Sequence, residues 1–146
     1  MILDALTQLA DGLAVTDADA YTTYSYDLGN VDPKREVGTG EPLALVFSVG
    51  VAAAGSTDTC DFIAVQSANA DLSSHTPLST RRITIAALTV GSHHVIPIPP
   101  GSVSSRYIGG RVELGSGDTV TVDCNLIPQS FIQLYKSYAD ALTWDA

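Results

Sequence analysis

Three histidines, two cysteines and a scatter of carboxylates are the residues of this chain whose types could do chemistry. Histidine is the usual general base and metal ligand near neutral pH. His93 and His94 are adjacent, and neighbours on a strand point to opposite faces, so the pair is poorly placed to share one ion. His75 stands alone in a polar stretch and reads as a solvated side chain. Cys60 and Cys124 lack Cys-x-x-Cys spacing. Joined, they would close a long loop worth about 4 to 5 kcal/mol in the chain-entropy picture, but spacing leaves the geometry open. In a reducing cytoplasm they read as two small buried hydrophobes. No serine sits in a Gly-x-Ser-x-Gly elbow, so no nucleophilic triad is visible. Asp17 with Asp19, and Asp58 with Asp61, have the oxygen chemistry for calcium but not the EF-hand spacing, and read as turn acids. Gly109-Gly110 is followed by no helix N-terminus to cradle phosphate, which favours a bulge or a close backbone approach. Tyr21, Tyr24, Tyr26 and Trp144 could stack on a sugar; half-buried strand tyrosines are the plainer reading.

Composition narrows the function classes further. Sixteen acids against seven bases give a formal charge of −9, which provides no basic stripe for nucleic-acid phosphates. A docking site on a partner should be neutral or basic. No run of eighteen apolar residues occurs, so no membrane-spanning helix is expected. The opening Met1-Ile2-Leu3-Asp4 lacks a basic n-region, so synthesis in a cytoplasm without a secretory signal is expected. A cupin-type metal site would need a His-x-His pair, a later acid, a Pro-x-Gly turn and a third histidine. Pro97-Ile98-Pro99-Pro100-Gly101 imitates the turn, but Ser104 stands where the third histidine would be. The expectation is no metal, no cofactor and no enzymatic activity.

The elements that must position these residues read as strands. Leu43, Leu45, Phe47, Val49 and Val51 alternate over Leu43–Val51, and the opposite face, Ala44, Val46, Ser48 and Gly50, is small enough that something could cover it too. Thr59–Gln66 alternates as a second strand. Ser67–Thr80 reads as a polar connection. Arg82–Leu88 and His93–Ile98 follow around a turn at Thr89–Ser92, with prolines ending the second. Arg106–Leu114 and Asp118–Ile127 read as a final hairpin around Gly115-Ser116-Gly117. Tyr24–Asp27 alternates like an edge strand. Short strands at regular spacing without helices predict a single all-β domain over 1–146, an antiparallel β-sandwich or jelly roll. Its core spans 13–127, with an N-terminal arm at 1–12 and a partly apolar C-terminal tail at 128–146. Ile2, Leu3, Leu6 and Leu9 fit one face of a short helix or an arm. Phe131, Tyr135, Tyr138 and Trp144 give the tail more apolar surface than a solvated tail needs.

The opening Met1-Ile2-Leu3-Asp4-Ala5, the stretch Gly38-Thr39-Gly40-Glu41-Pro42-Leu43, and Pro97-Ile98-Pro99-Pro100-Gly101 with Arg106-Tyr107 resemble, in order and spacing, the Bbp16-type capsid cement proteins of tailed phages. The resemblance covers most of the chain and lapses at Phe131–Ala146. It implies a jelly roll made in the host cytoplasm and carried on the outside of an icosahedral shell. There it would act as a homo-oligomer, a dimer or a trimer, that clamps neighbouring copies of the major capsid protein. The contacts assigned to this role are Ile2, Leu3, Leu6 and Leu9 in the arm and Phe131, Tyr135, Tyr138 and Trp144 in the tail. The rival expectations are a carbohydrate-binding jelly roll on a virion and, behind it, a degenerate cupin.

Overall fold

A computed structural model of the chain describes residues 7–29, 40–55 and 59–132. Nine strands follow one another: β1 (Gln8–Thr16), β2 (Ala20–Tyr21), β3 (Tyr26–Asp27), β4 (Leu43–Ala54), β5 (Thr59–Ser67), β6 (Thr76–Thr84), β7 (His93–Pro97), β8 (Tyr107–Glu113) and β9 (Thr119–Pro128). They form two antiparallel sheets, one ordered β1-β9-β4-β7 and the other β2-β8-β5-β6, with β3 also pairing β8. The chain changes sheet at most connections, which is the jelly-roll form of the β-sandwich and matches the expected all-β class.

Alternation decides which side chains face which way. Leu45, Phe47 and Val49 of β4 and Val120, Val122, Cys124 and Leu126 of β9 meet Cys60, Phe62 and Ala64 of β5 and Ile108 and Val112 of β8 in one buried cluster. Phe47 and Phe62 stack across the two sheets with ring centroids 4.6 Å apart. The adjacent glycines of β8 make this packing possible. A Cβ on Gly110 would lie 2.6 Å from Cζ of Phe47, and one on Gly109, facing the other way, 2.3 Å from Cδ1 of Leu72. The close backbone approach expected at this pair is therefore present on both faces. Leu72 belongs to a second cluster with Ile63 and Val65 on the outer side of β5.

Several expectations are corrected. Arg106–Leu114 and Asp118–Ile127 are not the arms of one hairpin: β8 pairs with β5, β2 and β3, whereas β9 pairs with β1 and β4. Strand alternation reports which face is buried, and in a sandwich strands of opposite sheets bury their faces against the same core. The two strands expected around Thr89–Ser92 likewise belong to different sheets. The first of them is Thr76–Thr84, followed by a 3-10 turn at Ile85–Ala87, so part of the supposed polar connection is strand. The expected arm at 1–12 is, in its described part, the start of β1. That strand hid from a search for alternation because its pairing with β9 is irregular between Gln8 and Ala10 and between Ala10 and Leu13. Gly12 there has φ +62°, a conformation glycine adopts without steric cost, and its N–H donates to Asp123 Oδ1 at 2.6 Å. The edge strand expected at Tyr24–Asp27 is present in its second half as β3, and a separate short strand, β2, precedes it across a bend. There Thr22 donates its backbone N–H to the Gly110 carbonyl at 2.9 Å, and Thr22 Oγ1 accepts from Gly110 N at 3.1 Å.

Candidate interaction surface

The residues with catalytic potential are held in structural roles. On β7, His94 turns inward and stacks on Phe62 at 5.6 Å, while its Nε2 lies 3.1 Å from Ser92 Oγ. Burial, and then the charges of Arg81 and His93, push its imidazole below the ordinary histidine range. His93 turns to the opposite face, with Nδ1 3.0 Å from Ser48 Oγ, so the two rings cannot converge on one ion. Cys60 and Cys124 are free thiols buried in the core. Burial, helped by Asp61 and Asp118, raises the Cys60 thiol to about 12, and burial raises Cys124 as well. Thiolate is the nucleophilic form, so neither sulfur is poised for reaction. Among the described residues no group of three or more His, Cys, Asp or Glu could hold a metal ion.

His75 departs from the solvated role expected of it. Arg111 Nη1 lies 3.2 Å from its Nε2, and Tyr21 Oη lies 2.9 Å from its Nδ1. A guanidinium can only donate, so Nε2 accepts, and in the neutral ring Nδ1–H donates to the tyrosine. Arg111 also pairs with Asp19 at 2.6 Å and Glu113 at 2.5 Å. This network ties the loop before β6 to β2 and β8. Asp19 thus serves as an ion-pair partner and Tyr21 as a hydrogen-bonded strut. Arg82 grips Asp61 through two 2.8 Å bonds, and Arg106 grips Asp27 in the same way. With these arginines neutralised by acids, the described surface offers no basic stripe.

Of the residues expected to carry contacts, Leu9 is corrected. It is 1% exposed and part of the core cluster, so it anchors β1 and cannot touch a partner while the domain is folded. Phe131, in the 3-10 turn Gln129–Phe131 after β9, is 42% exposed. Ile2, Leu3, Leu6, Tyr135, Tyr138 and Trp144 lie outside the described residues.

Sequence reasoning missed an apolar tip. Val51 and Val90 are 58% and 66% exposed. The end of β4 is bound to the loop before β7 by Val49 N donating to Ser92 O, Gly91 N to Val49 O and Ala53 N to Leu88 O. These bonds lay the stretch that carries Val51 alongside the loop that carries Val90. Exposed alanines at 52, 54, 86 and 87 extend the patch. A signal for it was present: neither 42–57 nor 83–105 contains an Asp, Glu, Lys or Arg. Only the pairing shows that these two uncharged stretches adjoin.

The model of the Bbp16 family matches residues 9–123. No curated protein matches the chain.

Proposed function

The chain belongs to the Bbp16 family, a phage-associated family, and from that premise we propose that it is a capsid cement protein, without enzymatic activity, that binds the outer surface of an assembled shell and clamps neighbouring major capsid subunits. The family match carries the reading. It agrees with a sandwich whose cysteines and His94 are engaged in packing and whose His75 and His93 are engaged in hydrogen bonds, and with a charge of −9 that opposes contact with packaged DNA. The grips proposed are the arm, through Ile2, Leu3 and Leu6, together with Phe131 and the uncharged tip at Val51 and Val90. An apolar tip on an acidic molecule is where another surface can approach without like-charge repulsion or buried unpaired charge. A protein that binds the assembled lattice and not its separated subunits stabilises the lattice by mass action. A dimer or trimer that docks at symmetry-related sites raises the effective concentration for its second contact.

Purified protein added to undecorated shells should bind in a saturable number of copies and raise the temperature at which shells rupture. Removing residues 1–6, which leaves β1 whole, should weaken decoration at least tenfold while the circular dichroism of the domain stays unchanged. Binding that saturates without any gain in heat resistance would remove the cement role, and unchanged binding by the shortened chain would remove the arm from the contact.

A further inference from the structure

The sheet β1-β9-β4-β7 has a second apolar face, turned away from the core. Cys124 and Leu126 point inward, so Asn125 and Ile127 between and beyond them point out; Leu45 and Phe47 place Ala44 and Val46 on the same outer side. These four are nonetheless buried, Asn125 to 2%, and Ala44, Val46 and Ile127 belong to neither apolar cluster. They adjoin across the pairing of Ala44 with Ile127 and Val46 with Asn125. Among the described residues the Asn125 side-chain oxygen has no hydrogen-bond partner. Farther along the same face, Gly50 is exposed and Thr121 half-buried, so the covered patch lies at one end of the sheet.

We propose that the occupant of this patch is the chain's own segment 133–146, laid across Ala44, Val46, Asn125 and Ile127. The route begins at the covered end. After β9, Gln129 N donates to Pro42 O at 2.7 Å and Ser130 N to Glu41 Oε1 at 3.2 Å, which fixes the turn beside the start of β4. Ile132 then has φ −59° and ψ −41°, so the chain leaves in a helical direction. The sequence beyond fits an amphipathic cover: Leu134, Tyr135, Tyr138 and Leu142 recur at helical spacing, with Lys136, Asp140 and Thr143 on the opposite side. A tyrosine hydroxyl from that row would supply the donor that the buried Asn125 oxygen lacks. The assignment is independent of the cement reading, and it gives Tyr135 and Tyr138 to the molecule's own sheet in place of a capsid contact.

Lys136 is the sole lysine or arginine in this segment, so trypsin reads its attachment. In the free, full-length protein, cleavage after Lys136 should be slow and independent of protein concentration. Val46→Glu on the sheet and Leu142→Glu on the segment should each speed that cut at least tenfold and increase binding of an apolar dye. Leu142→Glu leaves the sheet untouched and so guards against a Val46→Glu variant that fails to fold. Rapid cleavage at Lys136 in the unaltered chain would overturn the proposal. So would protection that vanishes on dilution, which would mean a second copy supplies the cover, and so would exposure of the face on removing residues 1–6 but not on removing 133–146. None of these results bears on whether the protein decorates shells.

Discussion

The paired bonds between Asp27 and Arg106 fasten the short strand β3 to the segment leading into β8. The Arg106 guanidinium and the Gly29 N–H together hold the Asp27 carboxyl at about 2. A carboxyl whose folded value lies below its unfolded value contributes stability above the unfolded value of about 4 and loses it as pH falls toward the folded value. The difference in urea midpoint between the natural chain and Arg106→Ala should therefore be nearly constant above about pH 5 and shrink as pH falls toward and through about 2. A difference that stayed undiminished at about pH 2 would assign Arg106 a packing role instead. At this scale sequence reading was uneven. The opposite-facing His93 and His94 and the buried cysteines were legible because strand alternation and thiol hydrophobicity are local properties. Leu9 and His75 were misjudged because their neighbours come from β9, β2 and β8, more than thirty residues away in the chain.

At the level of elements, β8 is the strand on which the two faces of its sheet depend, because its adjacent glycines admit Phe47 on one side and Leu72 on the other. Gly110→Val should force the Phe47–Phe62 stack apart and destabilise the fold by about 1 to 3 kcal/mol, the usual cost of overpacking a dense core, as measured by equilibrium denaturation. Gly109→Ala should act mainly on the loop that carries Leu72, raising its hydrogen exchange while the core keeps its protection. Strand existence was legible for β4, β5, β7, β8 and β9, where alternation is regular. Strand partnership was not, as the mistaken β8–β9 hairpin shows. The opposite edge of the sandwich illustrates the reason: β6 closes the free edge of β7 by side chains alone, Arg81 Nη1 donating to Val95 O at 3.3 Å and Ser79 Oγ to Pro97 O. No local pattern announces such bonds.

For the molecule as a whole, charge is distributed unevenly. Acids and arginines pair over the sheet containing β8, while the tip formed by the end of β4 and the loop before β7 carries no formal charge. If that tip grips a shell, Val51→Glu combined with Val90→Glu should leave the thermal unfolding of the free protein nearly unchanged and weaken decoration tenfold or more, a loss of about 1.4 kcal/mol per site. Undiminished decoration would place the contact elsewhere. The amino-acid sequence by itself determined the all-β class and the acidity, which follow from composition and short-range periodicity, and it carried the motifs that resemble Bbp16-type chains. Only the tertiary structure decided which strands share a sheet, that Leu9 is core, and that the end of β4 lies beside the loop before β7. The physical reason is that a jelly roll is held by long-range pairing: an alternating strand declares which of its faces seeks burial, but the partner that buries it is chosen by the closure of the whole sandwich.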